Sequence, residues 1–183
     1  DIEQAIFASN TNGFTGLPTI APVGGQGTVG TIDSSAETWW RNPNGTYQAD
    51  GSDMEAALTL LFIQAAKGSG SSYKPTLLIG GGTPFALFEG TQTSQRVYDS
   101  QNYAAGAKTL MFKTARFAFS QYGSTSVWGV SSRTLKIYVS KGNFRDKGET
   151  QELENRTGFR FFIYSALQMG TPAKSRLFIA SAA

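Results

Sequence analysis

The chain has 183 residues, 40% of them hydrophobic, with 13 Phe and a formal net charge of +3. That is ample for one core or two closely joined subdomains, and it gives no reason to invoke a nucleic-acid surface, because the basic residues are scattered among acids instead of clustered on one face. The absence of both Cys and His excludes a disulfide framework, thiolate or histidine metal sites, a Ser-His-Asp triad and a Cys-His pair.

The 21 Gly residues, with many Ser and Thr, predict numerous turns and short strands. Asp1–Ala8 is helix-compatible, with Ile2 and Ile6 on one face and no N-cap of its own, which suits the stump of a longer helix. Because the chain starts at Asp1 without an initiator Met or a secretory signal, we expect it to have been processed, cut or expressed as a piece. Asn10–Gly30 reads as connecting chain, weakly extended around Thr28–Ile32. Next come Trp39 and Trp40, followed by Arg41 and Asn42. On an extended segment adjacent side chains point to opposite faces, so both indoles need cover. Internal packing of both is the plainer expectation, since large aromatics mostly go inside; the sharper one is that one indole meets a neighbouring subunit.

Ser52-Asp-Met-Glu55 is a capping box, and Met54, Leu58, Leu61 and Ala65, widened by Phe62, form a helical apolar stripe stopped by Gly68. Thr76–Ile79 is a short buried strand, after which Thr83 can cap a helix with Pro84 at its first position. Thr109–Phe112, Arg116–Phe119, Ser126–Val130 and Thr134–Val139 read as strands, the last with Leu135, Ile137 and Val139 alternating against Lys136 and Tyr138. Ser140–Gly158 is charge-dense, carrying Lys141, Arg145, Asp146, Lys147, Glu149, Glu152, Glu154 and Arg156, and reads first as a solvated loop. Phe159–Leu167 is apolar on both faces and should be a central strand; Arg176–Ala180 is the closing one. No apolar stretch approaches bilayer length.

Three enzymatic readings are weak. Gly80-Gly81-Gly82-Thr83 lies between a strand and a helix but lacks the Gly-Lys-Ser/Thr ending of a phosphate loop. Asp33 with Glu37, or Asp50 with Asp53, could be drawn as a glycosidase-type pair, but any chain with 13 acids offers such pairs. No Ser-x-x-Lys motif sits on a helix. The two glycosylation sequons at Asn44 and Asn155 are expected by chance and carry no weight.

Several stretches, in order, resemble one family. Gly27–Asn42 (GTVGTIDSSAETWWRN) is similar to the segment after the long spine helix of tailed-bacteriophage major capsid proteins of the Hong Kong ninety-seven fold type. Asp1–Ile20 resembles the end of that helix and its Gly-Leu exit, and Lys74–Asp99 the family's strand-then-helix unit. Ala105–Phe119, Thr134–Val139 and the two closing apolar segments complete the likeness. It implies an α+β protein with an axial and a peripheral lobe and small mixed or antiparallel sheets flanked by a few helices. Residues 1–48 would hold the spine-helix end and the peripheral connection, 49–140 mainly the axial lobe, and 141–183 the charged loop and closing strands of the peripheral lobe.

The implied function is that of a structural virion protein, not an enzyme. It would self-assemble through identical subunits, as pentamers and hexamers, into an icosahedral shell enclosing double-stranded DNA without sequence-specific contact. The resemblance also implies portal and scaffolding partners, assembly in the host bacterial cytoplasm, residence in the virion capsid, and no cofactor, metal or membrane. Trp39, Trp40 and Arg41 with the eight charged residues listed above become the candidate interface, since alternating charges give register and reject wrong docking. The family's N-terminal arm, extended hairpin and most of the spine helix have no counterpart here, so shell closure by this chain alone is not expected. Nor is the Lys-Asn crosslink of some relatives carried over, because Phe159–Leu167 contains no Asn. The alternative is a carbohydrate-binding or tail-decoration module that stacks sugars on Trp39, Trp40 and Trp128.

Overall fold

The computed structural model describes residues 2–11, 14–66, 74–91, 110–141 and 167–183, with the strand segments 146–147, 151–152, 159–160 and 163–164. In chain order the elements begin with α1 (Ile2–Phe7), β1 (Asn10–Thr11), β2 (Phe14–Thr15) and α2 (Leu17–Ile20). The hairpin β3 (Thr28–Val29) and β4 (Ile32–Asp33) precedes a 3-10 turn at Thr38–Trp40 and β5 (Asn44–Tyr47). Then come α3 (Met54–Ala66), β6 (Leu77–Gly80), α4 (Gly82–Thr91), β7 (Leu110–Phe112), β8 (Ala115–Phe119) and β9 (Ser126–Val130). The last third holds β10 (Lys136–Val139), β11 (Asp146–Lys147), β12 (Gln151–Glu152), β13 (Phe159–Arg160), β14 (Ile163–Tyr164), β15 (Leu167–Gly170), a 3-10 turn at Lys174–Arg176 and β16 (Phe178–Ala182).

Six strands form one mixed sheet in the order β5-β16-β9-β6-β8-β7, with β5–β16 and β6–β8 parallel and the other pairs antiparallel. The period-2 alternation of each strand divides its side chains between two cores. On one face Val127, Leu78, Phe117, Phe178 and Ala180 pack with Leu58, Leu61 and Phe62 of α3 and Phe88 of α4. On the other, Trp128, Val130 and Ile179 pack with Phe14, Leu17, Ile20 and Ala21. Trp128 is opposite Ile79 on one side and Ile179 on the other, and its indole meets Phe7 edge-on at 5.6 Å. Its Nε1 donates to the Ala21 carbonyl at 3.3 Å, which pins the N-terminal segment to the sheet. Gly129 has no substitute here: a Cβ at that position would lie 2.0 Å from the buried ring of Phe178.

All five stripe residues of α3 are buried as the periodicity requires, but the helix starts at Met54, not after a Ser52 cap. Asp53 contributes the first helical carbonyl, to Ala57 N–H at 3.0 Å, and its carboxylate accepts from Gln48 N–H at 2.6 Å. Ser52 is held by the Asp50 carboxylate, which accepts its N–H at 2.9 Å. Similarly α4 begins two residues early, at Gly82, with the Gly81 carbonyl accepting from Phe85 N–H. Pro84 is tolerated because the first-turn amides of a helix lack helical partners anyway. Gly90 lies inside the last turn.

One expectation for the last third is corrected. The charge-dense stretch is not simply a loop: its segments β11 and β12 pair antiparallel with β14 and β13. Within Phe159–Leu167 the described pieces β13 and β14 each have one paired strand among the described residues, and the packing expected on both faces of this stretch lies outside the described residues; the strand buried along its whole length is β9. The closing strand β16 runs inside the six-stranded sheet between β5 and β9.

Candidate functional site

The tryptophan pair sits on a 3-10 turn, not an extended segment, so successive side chains are a third of a turn apart instead of on opposite faces. The consequence is asymmetric. Trp40 is buried, whereas Trp39 is 61% exposed, its ring edge-on to Trp40 at 5.5 Å. Packing of both indoles inside the chain is thus overturned. Trp39 Nε1 donates to Glu37 Oε2 at 2.6 Å, which fixes the exposed ring. Arg41 turns back: its Nε donates to the Ser34 carbonyl at 2.8 Å and a terminal nitrogen to the Ser35 carbonyl at 3.2 Å.

Beneath this corner lies a buried polar knot. Lys174 is fully buried, and its Nζ donates to the Gly27 carbonyl at 3.2 Å and to Ser34 Oγ at 3.0 Å. Ser34 Oγ also accepts from Gly27 N–H at 2.9 Å. Burial lowers the Lys174 amine below its usual value, partly offset by the field of Asp33. Asp33 itself is held below the usual carboxylate range by hydrogen bonds from Ser35. Nearby, Trp40 Nε1 and Asn42 Oδ1 are buried with no hydrogen-bond partner. The knot ties residues 22–42 to the turn that leads into β16. Nothing local in the sequence marks Ser34 or Lys174, which stand 140 positions apart.

The second feature is strand β10. Ile137, Tyr138 and Val139 are 52%, 54% and 46% exposed, although the alternation predicted a half-buried strand. Among the described residues β10 pairs with β15 alone, and it is β15 that carries the buried Met169. Lys141, just beyond, is exposed. Of the other charged candidates, Asp146, Lys147 and Glu152 are placed on the ribbon by backbone pairing only, and Arg145, Glu149, Glu154 and Arg156 lie outside the described residues.

The carboxylate pairs weighed as catalysts are engaged separately in turn geometry: Asp33 with Ser35, Glu37 with Trp39, Asp50 with Ser52 and Asp53 with Gln48. Gly81 is glycine for contact reasons, since a Cβ there would lie 2.1 Å from the carbonyl oxygens of Gly123 and Ser124. Among the described residues no group of three His, Cys, Asp or Glu could hold a metal ion, and no helix is long and apolar enough to cross a membrane. Nor is there an indole platform, because Trp40 and Trp128 are both buried.

No family model and no curated protein matches the chain. Solved structures do. The cyanophage A-1(L) capsid asymmetric unit is similar with a TM-score of 0.61 at 14% identity, over 98% of this chain and 64% of that one. The capsid of Myoviridae phage XM1 matches with a TM-score of 0.49 at 10% identity, over 79% of this chain and 53% of that one. A virus-like particle from Pyrococcus furiosus matches with a TM-score of 0.47 at 12% identity, over 76% of this chain and 56% of that one. The chain therefore spans less than two thirds of the length of each. Its fold is the α+β phage major capsid type that the sequence resemblance implied, carried by the first of these likenesses.

Proposed function

We propose that this chain is a structural subunit of a tailed-phage-type capsid, associating with identical copies as pentamers and hexamers of a shell around double-stranded DNA. The observation that carries the reading is the fold likeness to a cyanophage capsid chain over 98% of the residues. Two surface features support it: an indole held outward on a fixed turn, and a strand whose apolar side chains lack cover within the described chain. Trp39, not Trp40, is the member of the pair we assign to a neighbouring subunit. Arg41 shapes the corner from within, and Lys141 with the charged ribbon supplies register. The mechanism is assembly without turnover, in the virion, with packaged DNA contacted non-specifically and portal and scaffolding proteins as further partners.

Sedimentation equilibrium tests the reading. The mass is expected to rise above the 19.6 kDa of one chain as concentration increases. A chain that remains monomeric up to about 1 mM, the weak end of useful association, would contradict it.

A further inference from the structure

We infer that Lys174 is a positioning residue of the subunit contact: from the turn that leads into β16 it holds, through Ser34, the loop that presents Trp39. The inference rests on the contact proposed above for Trp39 and says what sets the pose of that indole.

A side chain left free on the surface must be ordered when a partner binds, and the ordering costs affinity; one that is already fixed avoids the cost. Trp39 is 61% exposed yet anchored twice. Glu37 accepts from its Nε1 at 2.6 Å, and the buried ring of Trp40 lies edge-on to it. Both anchors belong to the backbone turn of residues 33–41. There Glu37 N–H donates to the Asp33 carbonyl at 2.9 Å, Trp40 N–H to the Glu37 carbonyl at 3.0 Å and Arg41 N–H to the Thr38 carbonyl at 3.2 Å. Arg41 closes the turn on itself through the carbonyls of Ser34 and Ser35. The anchors are therefore only as steady as the turn that carries them.

The turn is attached at Ser34. This residue is fully buried, and its Oγ accepts from Lys174 Nζ at 3.0 Å as well as from Gly27 N–H at 2.9 Å. Gly27 belongs to the same loop as Ser34, so that bond folds the loop without attaching it. Lys174 belongs to the body. Leu177 N–H donates to its carbonyl at 3.0 Å, Arg176 donates to the Ala65 carbonyl at the end of α3, and both Leu177 and Phe178 are fully buried. The amine is thus a polar link from body to loop. Apolar side chains of similar size often serve stability as well as a buried charge does. What the amine adds is direction, because its N–H bonds fix the approach of two acceptors, Ser34 Oγ and the Gly27 carbonyl.

Lys174→Met in the full chain tests the link. Ser34 Oγ then keeps Gly27 N–H as a donor and the carbonyls of Gly25 and Gly27 as acceptors, so the variant should fold. In the dilute chain the heteronuclear NOE of the Trp39 indole N–H is compared with that of Trp128, whose Nε1 donates to the Ala21 carbonyl. The variant should lower the Trp39 value and leave that of Trp128 unchanged. A Trp39 indole as rigid as in the wild type would overturn the inference. So would equal loosening of both indoles, which reports a general loss of packing. Association is then compared by sedimentation equilibrium for the wild type, Lys174→Met, Trp39→Ala and the double variant. Lys174→Met should weaken association roughly two- to tenfold, the ordering cost of about one side chain, and should add nothing once Trp39 is replaced. The same loss in both backgrounds would overturn the positioning role while leaving the contact intact. Association unchanged by Trp39→Ala would take that indole out of the contact and overturn the inference, with self-association still standing. A wild-type chain that never associates would overturn the reading above and this role with it.

Discussion

Strands β9 and β10 are six residues apart in the chain, and both carry apolar side chains on short strands, yet one is buried throughout and the other exposed throughout. β9 has a paired strand on each side and a core on each face, with Val127 in one and Trp128 and Val130 in the other. Among the described residues β10 has one paired strand. Local pattern therefore specifies that a segment is a strand, and the layers around it decide whether it is covered. An isolated two-stranded ribbon is marginal in water, and an apolar edge strand invites a further chain. The six-stranded body has a core on each face, while the ribbon strand β10 carries apolar residues that the described residues leave exposed.

The largest effect should come from the body. Phe178→Ala empties a fully buried site between α3 and the sheet and should cost about 3–5 kcal/mol in urea unfolding. A loss below about 1 kcal/mol would show that β16 is not core, and the contrast with β10 would fail. Gly129→Ala should cost about 1–3 kcal/mol by forcing a methyl group against the Phe178 ring; a neutral outcome would mean that this core can yield.

A smaller effect probes the seam that ties residues 22–42 to the body. The folded-state pKa of Lys174 is lowered below 10.5. Between that lowered value and 10.5 the unfolded chain binds more protons than the folded one, so this group makes stability rise with pH across the window. Lys174→Met removes the rise. The stability difference between wild type and variant should therefore move in favour of the wild type as pH climbs towards 10.5, and a flat difference would contradict a buried amine. The smallest effect belongs to the ribbon: Ile137→Thr and Val139→Thr should each change the stability of the dilute chain by no more than about 0.5 kcal/mol. A loss above about 2 kcal/mol would place β10 in an interior and erase the comparison.

The parts legible in the sequence were those written in contiguous pattern. The α3 stripe, the strands around Leu77–Gly80, Ala115–Phe119 and Ser126–Val130, and the order of the resembling segments all correspond to observed elements. Helix starts were read to within two residues, α3 beginning at Met54 and α4 at Gly82, because the first turn is set by backbone bonds such as Ala57 N–H to Asp53 and Phe85 N–H to Gly81 that no side-chain pattern marks. The tryptophan pair was half legible: the need for cover could be read, but the 3-10 turn that assigns burial to Trp40 and exposure to Trp39 could not. The Ser34–Lys174 knot was invisible, since it depends on two distant segments meeting and on no local period.

Hydrogen exchange, followed residue by residue at dilute and at associating concentration, tests the division of the molecule most directly. The account predicts that amides of β9 and β16 exchange slowly in both conditions, while those of Lys136–Val139 exchange fast when dilute and gain protection on association. Protection of Lys136–Val139 equal to that of β9 in the dilute monomer would contradict it.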